Sequence, residues 1–84
     1  MLQNDIKDYL LDNRDYMLLL LKNLTAEFNK MEVPKELHDE MQKQYHDLAR
    51  GEIALYMACT FGYDTESVYV ALDDLGGVGK YLGG

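Results

Sequence analysis

The chain has no tryptophan, one cysteine, one proline and one serine in 84 residues, and each shortage narrows what the protein can be. A lone cysteine, Cys59, cannot build an internal disulfide framework, so a reducing compartment, the cytoplasm, is expected. Its place inside an apolar run predicts a buried small hydrophobe. The single serine, Ser67, falls near the start of an expected helix and suits N-terminal capping better than nucleophilic catalysis. Bases are also scarce: eight Lys and Arg stand against fifteen Asp and Glu, a net charge of −7. Direct nucleic-acid binding, which draws its affinity from Lys and Arg, is therefore not expected, whereas a basic protein partner is compatible with this balance. Long hydrophobic runs are missing as well. Met17–Leu21 and Ile53–Cys59 fall far short of the roughly 20 apolar residues that a membrane span needs. Asp5, Lys7 and Asp8 interrupt the N-terminus, so no signal peptide is expected.

What is present is apolar and helix-forming. Hydrophobic residues make up 48% and charged residues 27%, the balance of a folded domain. The length suits one domain with a modest core, a size at which oligomerisation often helps. At about 100° per residue, Ile6, Leu10, Asn13, Met17, Leu20, Leu24, Phe28 and Met31 fall on one side of a first helix over about residues 3–29. Their spacing approaches a heptad seam, widened by Tyr9, Tyr16 and Leu21. Asn13 in that seam reads either as a polar residue that fixes the register of an assembly or as a break in the helix. Opposite it, Asp5, Asp8, Asp12 and Asp15 recur three and four apart. Those carboxylates are either a solvated face or a rail of negative charge that docks on a basic partner, mimicking nucleic-acid phosphates.

Pro34 suits the first turn of a second helix over about residues 34–61. Leu37, Met41, Tyr45, Leu48, Glu52, Leu55 and Cys59 lie on one stripe of it, widened by Ile53, Tyr56 and Met57. Gly51 weakens this helix, permitting close approach by another backbone or a kink. Gly62 reads as its C-terminal cap. Asp64 or Thr65 caps a third helix over about residues 65–75, with Val68, Ala71, Leu72 and Leu75 on one face. The tail, residues 76–84, is expected to be too glycine-rich for a helix, although Val78, Tyr81 and Leu82 can dock back. The expected fold is all-α: a long antiparallel helical hairpin plus a short third helix, in one domain. A hairpin leaves much of each seam bare, so two copies are expected to pair into a dimeric four-helix-type bundle. The interface would hold Tyr9, Asn13, Tyr16, Met17, Leu20, Leu24, Glu52 and Tyr56. The rival is a monomer that folds its third helix over the long pair.

Chemistry-bearing patterns are few, and neither a metal nor a cofactor is expected. His38 and His46 are eight residues apart, not one turn, and Lys35 and Lys43 stand where a di-iron bundle would place glutamates. Both read as surface histidines. Gly76-Gly77-Val78-Gly79 has neither the spacing nor the following helix of a phosphate loop. Glu52, the one acid on an apolar stripe, suits a tyrosine or arginine partner at an interface better than proton chemistry. The tyrosines combine a large apolar ring with a polar end and favour interfaces.

Phe61-Gly62-Tyr63, Val68, Ala71-Leu72, Gly76-Gly77 and Tyr81-Leu82 together resemble part of a ubiquitin-associated domain, over residues 61–82. That resemblance implies a compact three-helix module. The long preceding helix and the short glycine-rich last stretch depart from it, so no functional residues carry across. The functional expectation is a small acidic interaction protein without catalysis. Its type suits a phage or mobile-element inhibitor of a host enzyme, an anti-defence protein for example, acting through Asp5, Asp8, Asp12 and Asp15. The alternatives are a self-assembling scaffold subunit and a small-ligand binder with a pocket lined by Tyr45, Glu52, Tyr56 and a histidine.

Overall fold

The computed structural model describes residues 2–83, and among these every regular element is helical. The first third is a rod of three helices: α1 (Leu2–Asp12), α2 (Arg14–Leu20) and α3 (Lys22–Lys30). Its hydrogen-bond ladder passes through both interruptions. Asn13 N–H donates to Tyr9 O at 2.9 Å, Met17 N–H to Asn13 O at 3.0 Å, and Leu21 N–H to Met17 O at 3.1 Å. The rod therefore bends without ending. At the first bend Asn13 has φ −119° and ψ 28°, and its Nδ2 donates to Tyr9 O at 2.9 Å. A short polar side chain that competes for a helix carbonyl bends a helix in this way. Asn13 thus marks a local irregularity in a rod whose hydrogen-bond ladder continues. The second bend, at Leu21, has no cue in the surrounding leucines.

Pro34 sits just before, rather than within, the first turn of the next element. A 3₁₀ turn (Lys35–Leu37) follows it and leads into α4 (His38–Phe61). Gly62 ends α4 with φ 74°, the left-handed conformation that glycine adopts without steric penalty, and its N–H bonds to Ala58 O. Next comes α5 (Thr65–Asp74). Asp64 occupies its N-cap position but makes no side-chain capping bond.

The tail differs from expectation, because residues Val78–Gly83 form a further helix, α6. Gly84 lies outside the described residues. The reason is the junction. Gly76 and Gly77 both take positive φ; Gly77 N–H bonds to Leu72 O and Gly76 N–H to Asp73 O, closing α5 with the paired bonds of a Schellman motif. The chain is thereby aimed back across the molecule. Val78 and Tyr81, three apart, are both buried. Arg14 then binds the far end of α6, with Nε 2.8 Å from Tyr81 O and Nη2 2.6 Å from Leu82 O. A cation on otherwise unsatisfied terminal carbonyls suits a helix C-terminus. The Tyr81 hydroxyl donates to Leu10 O beside the Asn13 bend. Docking thus outweighs the backbone entropy of the glycines.

Ile6, Leu10, Met17 and Leu21 of the rod, Ala49, Ile53, Ala54 and Met57 of α4, Val68, Ala71 and Leu72 of α5, and Val78 and Tyr81 of α6 form one core, in which α5 packs closely on both α1 and α4. The rod and α4 run in opposite senses, since Tyr9 touches Tyr56 and Phe61 while Thr25 reaches Tyr45. The molecule measures 44 × 21 × 21 Å, and its core occupies one end. From residue 22 to residue 48 no side chain is fully buried. That stretch, α3 with the first half of α4, is a two-helix arm extending from the packed end. No helix among the described residues is long and apolar enough to cross a membrane.

Candidate interaction surface

The outer stripe of the rod comprises Asp8, Leu11, Asp12, Asp15, Leu18, Leu19 and Lys22, at the three- and four-residue steps of one helix face. All seven are exposed. Leu11 at 57% and Leu19 at 63% are among the most accessible large apolar side chains in the molecule. Asp5 lies exposed at the edge of this stripe. Among the described residues, none of the four aspartates makes an ion pair.

Nearby bases are turned the other way. Lys7 Nζ lies 3.5 Å from Asp74 of α5. Arg14 is committed to the carbonyls of α6. Arg50 stacks 4.2 Å over the Tyr69 ring and lies 3.8 Å from Asp73. Lys7, Arg14 and Arg50 thus turn to α5 and α6, while the rod's Asp5, Asp8, Asp12 and Asp15 face solvent. Lys22 alone adds a cation at the arm end of the stripe.

A ridge of aromatic rings borders the stripe where the rod meets α4. The Tyr9 and Tyr56 hydroxyls are 3.1 Å apart. Ring centroids are separated by 4.8 Å for Tyr9 and Phe61, 5.5 Å for Tyr16 and Tyr56, and 5.6 Å for Phe61 and Tyr63. Burial, followed by the bond to Tyr56, pushes the Tyr9 hydroxyl up to about 12. The hydrogen bond from Tyr9 lowers Tyr56, and the bond to Tyr56 raises Tyr16. The ridge is a set of neighbouring phenols on an apolar base. No group of three or more His, Cys, Asp or Glu residues suited to a metal gathers among the described residues.

The expected interface residues scatter. Met17 is fully buried by the chain's own helices, so it offers nothing to a second copy. Leu20 and Leu24 are partly buried against the same core. Asn13 is occupied with Tyr9 O. Tyr9, Tyr16 and Tyr56 come together in the ridge. Glu52 and Cys59 are exposed on the outer side of α4 with Leu48 and Leu55, so the burial expected of Cys59 is not found. The expected ligand pocket is dispersed too, because Tyr45 lies in the arm, Tyr56 in the ridge and Glu52 in solvent. His38 is exposed, with Nε2 3.0 Å from Val33 O. His46, expected at the surface, is half-buried between Tyr45 and Gly79.

A second surface, not anticipated from the sequence, is a groove of about 550 Å³ at the tip of the arm. Phe28, Met31, Val33, Met41 and Tyr45 supply its apolar walls, and Thr25, Asn29, Gln42 and His38 its polar atoms. The Tyr45 hydroxyl bonds to Thr25 Oγ1 at 2.9 Å, and the Phe28 and Tyr45 rings meet edge-on at 5.5 Å. The available signal was that Phe28 and Met31 end one apolar seam while Met41 and Tyr45 begin the next, so a turn between them brings the pairs together.

In comparisons with known proteins, the chain matches no family model, no curated protein and no solved structure.

Proposed function

We propose that this protein is a non-catalytic interaction module that docks the acidic, leucine-bearing stripe of its rod onto a basic surface of a partner protein. One observation carries this reading: Leu11, Leu18 and Leu19 are exposed on the same face as Asp8, Asp12 and Asp15, while Lys7, Arg14 and Arg50 are engaged elsewhere. Leucines in water gain by burial, and carboxylates without partners gain by meeting cations. Such a stripe suits a basic amphipathic surface, including a groove that otherwise holds nucleic-acid phosphates, and occupation of that groove would inhibit its owner. Asp5, Asp8, Asp12 and Asp15 are spaced at roughly 5 Å along the axis, sparser than the one charge per roughly 3.4 Å of a nucleic-acid strand. The leucines must therefore supply part of the affinity.

The test is capture of partners by the tagged chain from source-cell extract, in parallel with Asp12→Lys/Asp15→Lys and with Leu11→Ser/Leu18→Ser. The proposal expects a basic protein held at low salt, weakened as salt rises, and lost with either double variant. Recovery of nothing but the chain itself, with all forms alike, would instead favour a self-assembling scaffold.

A further inference from the structure

The geometry points to an arginine-recognition site where the rod meets α4: the rings of Tyr16 and Tyr56 form its floor, and Asp12 and Glu52 hold the guanidinium of a partner protein's arginine. The first ground is placement. The two rings lie 5.5 Å apart with their planes tilted by 53°. Asp12 stands one helical turn before Tyr16, because the hydrogen-bond ladder runs on through Asn13. Glu52 stands one turn before Tyr56 in α4. Rod and α4 run in opposite senses, so the two acids lie toward opposite ends of the ring pair. Asp12, Tyr16 and Glu52 are exposed, and Tyr56 is half-buried. Phe61, 45% exposed with its ring 6.4 Å from that of Tyr56, extends the aromatic floor.

The second ground is that the molecule satisfies the same pairing once with an arginine of its own. Tyr69 and Asp73 are four residues apart in α5. The guanidinium carbon of Arg50 lies 4.2 Å from the centre of the Tyr69 ring, and Arg50 Nη2 lies 3.8 Å from Asp73 Oδ2. Asp12 with Tyr16, and Glu52 with Tyr56, repeat that spacing in the reverse order. Among the described residues neither Asp12 nor Glu52 makes an ion pair, while Lys7, Arg14 and Arg50 are engaged with α5 and α6.

The rings select arginine over lysine. A net charge of −7 draws cations of either kind, so charge alone does not discriminate. A planar guanidinium, however, lies flat on an aromatic face while its N–H fork bonds a carboxylate in two places. A lysine ammonium is a compact, strongly hydrated point charge that gains less from the ring and cannot make the fork. Phenol and carboxylate one turn apart, on each of two adjacent helices, offer both contacts together. The inference rests on the docking reading above, since Asp12 belongs to both surfaces. It adds which cation the partner presents and carries the contact from the rod onto α4.

The experiment is calorimetric titration of the full chain with two synthetic peptides of equal charge, nona-arginine and nona-lysine. The chains compared are wild type, Tyr16→Leu, Tyr16→Phe, Glu52→Gln and Asp8→Lys/Asp15→Lys. Wild type should bind nona-arginine about tenfold more tightly than nona-lysine. Tyr16→Leu and Glu52→Gln should each remove most of that preference, whereas Tyr16→Phe, which keeps the ring, should retain it. Circular dichroism checks that the variants stay helical. Ring NMR signals of the wild type keep the test independent of them: nona-arginine should shift those of Tyr16 and Tyr56 more than those of Tyr69, whose face Arg50 already covers. Equal affinity for the two peptides overturns the arginine site; if both then weaken in Asp8→Lys/Asp15→Lys, the acidic docking reading stands without it. A preference kept by a folded Tyr16→Leu also overturns the site, as do Tyr16 and Tyr56 ring signals that do not move. Affinities unchanged in Asp8→Lys/Asp15→Lys, with the preference lost in Tyr16→Leu, support the arginine site and count against the wider stripe.

Discussion

Two rod residues, Asn13 and Arg14, and Tyr81 of α6 meet where the end of the chain docks. Asn13 bends the helix by bonding Tyr9 O, Tyr81 reaches Leu10 O at the bend, and Arg14 holds the last carbonyls of α6. Charge-assisted bonds of this kind contribute roughly 1.5–3 kcal/mol each, and losses within one network do not add. Arg14→Met keeps most of the apolar stem but removes both donors. It should lower stability by about 2 kcal/mol and speed amide exchange in α6 ahead of α5, readable by denaturant unfolding and hydrogen-exchange mass spectrometry. Tyr81 gives a pH signature. Burial is the main cause that pushes its hydroxyl up to about 12, against a smaller opposing influence of Arg14. An unfolded tyrosine ionises near pH 10. Below that value both states hold the proton, so stability does not change. Above it the unfolded chain releases the proton first, and stability falls as pH rises toward 12. The Tyr81 contribution to this loss is about 2 kcal/mol. Urea unfolding at about pH 9 and about pH 11.5 should show a larger drop for wild type than for Tyr81→Phe. Tyr9, also raised to about 12, leaves a residual slope in the variant.

At the scale of elements, punctuation was legible and facing was not. Pro34 and Gly62 announce the start and end of α4 because each restricts or frees the backbone in a way few other residues do. Which side of α4 packs inward could not be read as easily. Between Ile53 and Cys59 apolar residues surround the helix, so periodicity favours no side. The stripe through Leu48, Glu52, Leu55 and Cys59 is exposed, while Ala49, Ile53, Ala54 and Met57 are buried. Small Ala49 and Ala54 are both fully buried in that core, a place that hydrophobicity alone underrates. The helix α6 was hidden for a related reason. Its glycines argue against a helix locally, and its partners Leu10 and Arg14 lie about seventy residues away in sequence. The acidic stripe was visible as a pattern, but its isolation from bases emerges only once Lys7, Arg14 and Arg50 are seen bonded on the other side. Gly51 lends itself to a direct test. Beyond its own helix backbone, no atom lies within 4 Å of where its Cβ would sit, so Gly51→Ala should stabilise α4 by about 0.5–1 kcal/mol. The check is a raised urea midpoint with an unchanged m-value.

Taken whole, the molecule has a packed end that holds the whole buried core, and an arm and a stripe that leave apolar groups and carboxylates in water. Exchange should follow that division: amides of α3 and of residues 38–48 should exchange faster in dilute solution than those of α5 and the second half of α4. The acidic stripe carries an opposite trade between stability and binding. Asp12 lies four residues from Asp8 and three from Asp15, the spacings at which like charges on a helix repel by a few tenths of a kcal/mol per pair. Asp12→Asn removes both repulsions while keeping size and polarity. The free variant should be more stable than wild type by about half a kcal/mol at low ionic strength, and the gain should shrink as salt screens the pairs. Partner capture should fall in the same variant. A stripe that is only solvated would gain the stability and lose nothing in binding. If capture is unchanged while stability rises, the carboxylates do not dock; if both change in the stated directions, the chain tolerates self-repulsion along its rod because a basic partner relieves it.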